Sequence, residues 1–318
     1  MVVLKLSNNN YHSLLENIAK QLKTRPENNS IAFPEDIGQG IMKVIQLPNN
    51  LQALMIKVLF KKDVLIKSGY STEGDYVLNF DESQIFEPLN NASTINSFVR
   101  LTGHTFRHWE IYKKNSAIQF VRILFNKSWL SSYIGLSEKM SVFEKYIPMK
   151  SEAGEKEKLN EEYRRIINEM WNVSNQDFLQ NICYNNRILL LIEQFFSKMH
   201  AEMLSPKGKY KLTADDVLKL KKIEAKLNLF TMSPPKIKDL AKRNLMSPPK
   251  LSQAFKQVYG ISIYNYYQKQ RMQKAHELLT SRQFSVKEVS TKLGYTNFSN
   301  FVLAFKKQFN ENPKSLLE

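Results

Sequence analysis

The sequence predicts an α+β chain: an N-terminal β-rich barrel or sandwich with helices, followed by a C-terminal all-α double helix-turn-helix domain. Three observations predict it. Short runs of β-branched and aromatic residues, separated by turn residues, fill positions 31–127 and have strand texture. Beyond Trp129 apolar residues recur at helical spacing. Near the C-terminus one helical pattern is written twice, over Ile237–Gly260 and Val286–Asn310.

A chain of 318 residues accommodates two domains and a connector, here residues 1–150, 151–210 and 211–318. Hydrophobic residues make up 42% and charged residues 24%, the composition of an ordinary soluble globular protein. The net charge of +16 is unevenly placed: Thr231–Glu318 holds 15 Lys/Arg against 5 Asp/Glu, and the residues before it 31 against 25. A polyanion suits the basic C-terminal part; a solubilising surface is the competing reading, and charge alone does not separate the two. The single cysteine, Cys183, allows neither an internal disulfide nor a thiolate metal cluster, and reads as a small apolar side chain in a reducing compartment. The first ten residues lack a secretory signal. Leu51–Phe60 and Ile188–Phe196 are too short and too interrupted to span a bilayer. The expectation is a cytoplasmic protein with no membrane partner.

Strands are expected at Gly40–Leu47, Leu51–Phe60, Asp75–Phe80 and Ala117–Phe125, with turns at Pro48-Asn49-Asn50, Ser68-Gly69 and Glu73-Gly74-Asp75. Helices are expected at Glu155–Trp171 and Asp177–Met203. The second carries a stripe of Phe178, Ile182, Ile188 or Leu189, Ile192 and Phe195 or Phe196, to pack on its own domain or on a twin subunit. Ser205-Pro206-Lys207-Gly208 reads as a linker. Thr213 then caps a helix to about Leu227, with Val217, Leu220, Ile223 or Glu224, and Leu227 inward.

In the repeat, Ile237 answers to Val286, Leu240 to Val289, Ala241 to Ser290 and Ser247 to Thr296. Leu251 answers to Phe301, Phe255 to Phe305, Lys256 to Lys306 and Tyr259 to Phe309, so one copy carries an insertion. Each copy reads as a short helix with a small residue for close crossing, a tight turn, an N-cap and a second helix. Ser233-Pro234 and Ser247-Pro248 each place a cap before a proline, and Ser285-Val-Lys-Glu288 is a capping box. Ser262 caps a helix to about Ser281, a rod of about 28 Å, close to the ~34 Å repeat of B-DNA.

Catalytic constellations are weak. His104 and His108 share a helical spacing without Cys or a clear carboxylate set, and His12, His200 and His276 are scattered. Asp215-Asp216 and Glu161-Glu162 fit helix charge. No glycine-rich phosphate loop or Gly-x-Ser-x-Gly elbow occurs. No catalytic residue, metal site or cofactor is assigned, and the chain does not read as an enzyme.

Within Ile237–Leu316, the segments LAKRNLMSPPKLSQAFKQVYGISIYNYY, RMQKAHELL and SVKEVSTKLGYTNFSNFVLAFKKQFNENP resemble the DNA-binding region of the AraC/XylS transcription regulators. The form SIYNYYQKQRMQKA most resembles the PchR-type subgroup. Two departures stand out: Leu245 replaces the glycine usual in the first turn, and Asn310 the one ending the second recognition helix. The resemblance implies recognition helices at Pro248–Tyr259 and Asn297–Phe309. Leu251, Phe255 and Tyr259 would be buried in the first, Phe301, Phe305 and Phe309 in the second. Pro249, Lys250, Ser252, Gln253 and Lys256, and Asn297, Ser299, Asn300, Leu303, Lys306 and Lys307, would face DNA. Asn and Gln suit adenine, Leu303 a thymine methyl, and the lysines phosphates.

It also implies a regulator, most often an activator, that binds double-stranded promoter DNA and meets RNA polymerase. The N-terminal domain would sense a small-molecule effector, an iron–siderophore if the PchR-type likeness holds, with a homodimer formed around Asp177–Met203. Phe80, Phe86, Trp109 and Trp129 are either pocket residues or plain core. The competing reading is a non-enzymatic DNA-binding protein whose N-terminal domain recruits a protein partner.

Overall fold

A computed structural model describes residues 1–7, 10–69, 74–87, 92–103, 108–133, 143, 146–151, 154–174, 178–204, 212–228, 233–309 and 312–317. Chain contacts divide it into two compact units, Met1–Ala201 and Glu202–Glu318. The sequence reading divides it instead at 150 and 210, so helices expected in a connector fall within the first unit.

Among the described residues the first unit holds ten strands: β1 (Val2–Ser7), β2 (Ser30–Ala32), β3 (Gly38–Gln46), β4 (Gln52–Phe60), β5 (Val64–Gly69), β6 (Asp75–Glu87), β7 (Ala92–Gly103), β8 (His108–Tyr112), β9 (Ala117–Asn126) and β10 (Glu157–Lys158). Seven form an antiparallel sheet ordered β10-β7-β6-β9-β4-β3-β2, and three a smaller sheet ordered β1-β5-β8. The β1–β5 pairing is parallel. Helix α1 (Tyr11–Leu22), capped by Asn10, buries Leu14, Leu15 and Ile18. They join a core with Leu4, Leu6, Leu54, Ile56, Val58 and Phe120. Between β3 and β4, Pro48–Asn50 makes the expected turn, with Asn49 and Asn50 both at left-handed φ, which asparagine tolerates.

The opposite face of the large sheet is covered by α2 (Lys127–Tyr133), α3 (Glu161–Trp171) and α4 (Gln180–Leu204). Ring contacts of 5.2 Å from Phe80 to Tyr163 and 5.9 Å from Phe125 to Phe196 mark that packing, and the Arg164 Nε donates to Glu82 at 2.9 Å. Phe80 and Trp129, candidates for a pocket, are therefore core side chains here. The side chains of Phe86 and Trp109 lie outside the described residues.

Four expectations are corrected. Helix α3 begins at Glu161 rather than Glu155, because the Asn160 side chain accepts the Tyr163 N–H as a cap, while Glu157–Lys158 pairs with β7. The stripe on α4 is buried at Ile188, Leu191, Ile192, Phe195, Phe196 and Met199, but Phe178 precedes the helix and is 91% exposed, and Ile182 is also exposed. Ser68-Gly69 continues β5 rather than turning. Cys183, expected as a small buried apolar side chain, is half-buried. The linker at Ser205–Gly208 and His104 lie outside the described residues.

Among the described residues the second unit has six helices of its own: α5 (Ala214–Asn228), α6 (Ile237–Arg243), α7 (Pro248–Tyr259), α8 (Ile263–Thr280), α9 (Val286–Lys292) and α10 (Phe298–Phe309), followed by a single turn at Pro313–Leu316. Thr213 and Asp216 cap α5 reciprocally, and the inner face predicted for it, Val217, Leu220, Ile223 and Leu227, is buried together with Glu224.

Candidate nucleic-acid interface

Helices α6 and α7 form one helix-turn-helix, α9 and α10 another, and α8 joins them. The two turns close alike. The Met246 N–H donates to the Ala241 carbonyl, and the Tyr295 N–H to that of Ser290, each at 3.0 Å. Ala241 and Ser290, the small residues expected at the crossings, are buried. Leu245 (φ 51°) occupies the left-handed position that Gly294 (φ 74°) occupies in the second turn. The departure from glycine leaves the turn geometry intact and places strain on Leu245, whose side chain is 87% exposed.

The caps revise the pairing of the two copies. Ser247 caps α7 by accepting the Lys250 N–H, and Asn297, not Thr296, accepts the Asn300 N–H at the start of α10. Turn closures are 49 residues apart and caps 50, so the extra residue, Thr296, sits between turn and cap. Ser233 does not cap α6: Lys236 is the cap residue and no side chain bonds the helix end. Helix α6 begins only at Ile237.

The inward sides follow the expected spacing. Leu251, Phe255 and Tyr259 are buried, with Phe255 and Tyr259 stacked at 4.3 Å and both rings edge-on to Tyr266 of α8. Tyr266 donates its hydroxyl to the buried Glu224 at 2.8 Å. Phe301 and Phe305 are buried against Met272, Ala275, Leu279, Val289 and Leu293. Phe309 is only half-buried, because it closes the end of that core against the His276 ring at 5.2 Å.

The outward sides differ between copies. On α7, Pro249 and Lys256 are exposed while Ser252 and Gln253 are half-buried. The Lys250 ammonium lies 2.6 Å from the Asp216 carboxylate, which is 2% exposed, so its charge is engaged within the unit. Burial alone would raise the Asp216 pKa; Lys250 and the Thr213 N–H and hydroxyl outweigh it and hold the carboxyl below its ordinary value. On α10, Asn297, Ser299, Asn300, Leu303, Lys306 and Lys307 are all exposed. Asn297 spends its side-chain oxygen on the cap, leaving its amide hydrogens to donate.

Two residues were missed by sequence reasoning. Phe298 is 47% exposed beside Asn297 and adds an apolar contact to the same surface. Arg271 of α8 is buried, donates its Nε to the Leu293 carbonyl at 2.7 Å and covers the Tyr295 ring at 3.8 Å. A cation at the end of α9 suits the helix dipole and fixes the second turn to the joining helix. Its signal lay in RMQKA, where an arginine shares a helix with buried Met272 and Ala275.

The family model described as "Helix-turn-helix domain" matches residues 240–318. The HTH-type transcriptional regulator AlkR of Acinetobacter baylyi is 29% identical over 90 residues, 28% of this chain and 29% of AlkR. Residues 240–318 form a helix-turn-helix domain. The regulatory protein PocR of Salmonella typhimurium is 23% identical over 158 residues, covering 47% of this chain and 52% of PocR. The chain thus spans about half or less of the curated relatives it matches. A structure of ToxT from Vibrio cholerae, 14% identical, covers 84% of this chain and 97% of its own at a TM-score of 0.37. Within this helix-turn-helix domain, the outward faces of α7 and α10 are where the expected DNA-facing residues lie.

Proposed function

We propose that the protein is a sequence-specific DNA-binding transcription regulator, acting as an activator and controlled by a small molecule that the N-terminal unit senses. The supporting observation is the pair of helix-turn-helix units with matching turns, joined by α8, each presenting one outward helix in a region of strongly basic charge. Asn300, Gln253 and Leu303 read base edges, while Lys256, Lys306 and Lys307 neutralise phosphates. RNA polymerase is the protein partner at the promoter. An iron–siderophore effector rests on the PchR-type look of SIYNYYQKQRMQKA alone. A protein partner or a second copy of this chain has one observation in its favour: the exposed Phe178, Leu179 and Ile182 around the start of α4.

Selection of bound duplexes from a random pool tests the reading. Two short blocks about 10 base pairs apart are expected, one per recognition helix. Binding without preference, lost steeply as salt rises, would mean that charge alone drives it and would overturn sequence-specific regulation.

A further inference from the structure

The interior of the N-terminal unit contains buried polar atoms that have no hydrogen-bond partner among the described residues. Strands β7, β6 and β9 lie side by side, and their register sets Asn79 opposite both Arg100 and Arg122, all three on one face. Asp81 lies two residues further along the same face. That face packs toward α1 and the three-stranded sheet: Arg122 Nη1 donates to Ser68 of β5 at 2.7 Å. Asn79, Arg100 and Arg122 are each no more than 5% exposed.

Arg122 has no carboxylate within ion-pair distance among the described residues, and its Nε has no hydrogen-bond partner there. Asp81 Oδ2 and the hydroxyl of Tyr11, which is completely buried, share that condition. Arg122 and Asp81 both act on the Tyr11 hydroxyl: burial raises it most, Arg122 lowers it, and Asp75 and Asp81 raise it again. Buried polar atoms are rarely left unsatisfied, and an isolated buried cation is more costly still. Here a cation donor, a carboxylate acceptor and a phenol converge within one sheet-and-helix interior. The missing complement is an anion able to accept from Arg122 and also to donate to Asp81.

We propose that the N-terminal unit binds a small hydroxycarboxylate, its carboxylate on the Arg122 guanidinium and its hydroxyl on Asp81, with Tyr11 closing the site. Planar guanidinium donors match a carboxylate, and an acceptor-only aspartate selects for the hydroxyl. This names the effector class for the sensing role proposed above and rests on it for any effect on DNA. Binding itself does not depend on that role.

Calorimetry on the full chain without DNA provides the test, using glycolate, 3-hydroxybutyrate and salicylate as probes. Acetate is the carboxylate control without a hydroxyl, and glycolamide the neutral one. Saturable binding of at least one hydroxycarboxylate, tighter than acetate and absent for glycolamide, is expected. Arg122→Gln weakens it at least about tenfold. Asp81→Asn retains acetate binding and narrows the preference for the hydroxy acid.

The absence of Arg122-dependent binding for every carboxylate overturns the proposal. So does a crystal structure, from crystals soaked in these probes, in which waters alone satisfy Arg122, Asp81 and Tyr11. Binding that leaves operator affinity unchanged would keep the site and refute the sensing role. An operator found by selection, with no carboxylate binding, would do the reverse.

Discussion

Leu245 shows how much one backbone angle decides. A left-handed non-glycine residue costs about 1–2 kcal/mol, while glycine costs roughly 0.5–1 kcal/mol in lost chain freedom. The first term is larger, and the exposed side chain has little packing to lose. Leu245→Gly is therefore expected to stabilise the protein by about 0.5–1 kcal/mol, read as a higher denaturation midpoint; an unchanged or lower one would show that the turn carries no strain. On α10, Asn300→Ala should relax base preference at one position and cost on the order of 1–3 kcal/mol at the cognate site. Lys306→Ala should weaken all duplexes about equally and reduce the salt slope by roughly one. Titration of binding against salt, on cognate and scrambled duplexes, separates the two effects.

At the scale of elements, the pentapeptide MSPPK occurs twice, at Met232–Lys236 and Met246–Lys250, with different outcomes. After the second copy Leu251 enters the core, Lys250 meets Asp216 and the prolines become the first turn of α7. After the first, α6 waits until Ile237. Local sequence offered the same cap in both places, and tertiary contacts chose one. Ser247→Ala should cost about 1 kcal/mol, by chemical denaturation.

Capping and helical spacing made the C-terminal unit legible down to its buried aromatics, because those signals are local. The N-terminal unit was legible only where strands were dense in β-branched residues, as in β3, β4 and β9. Strand β7 (ASTINSFVRLTG) escaped because its inward arginine and polar alternation look like surface. At the interface, the engagement of Lys250 by Asp216 was equally hidden, since 34 residues separate them. That pair also carries a pH signature. Asp216 has a lowered folded pKa, so its contribution is present above the ordinary aspartate range and fades as pH falls through the folded value. Wild-type protein should lose more stability than Asp216→Asn on going from neutral to about pH 3.

For the whole molecule, the two units differ in where their contacts come from. The second unit is built from neighbouring helices with their own core. A fragment of residues 202–318 should fold alone and select the same sequences as the full chain. Circular dichroism and the duplex selection check both parts; a fragment that folds but loses preference would show that the first unit helps to read DNA.

Strand β1 has a further consequence for how the chain is made. Val2–Ser7 finds its first partner in Val64–Gly69, and that partner's other neighbour is His108–Tyr112. Val2–Ser7 leaves the ribosome before both of these strands and must wait for Tyr112 to follow before its small sheet is whole. Helices α9, α10 and the end of α8 face no such delay, since they meet over short loops. Synthesis order and closure order run opposite ways at the two ends, and the N-terminal strand is the part a chaperone would have most time to meet.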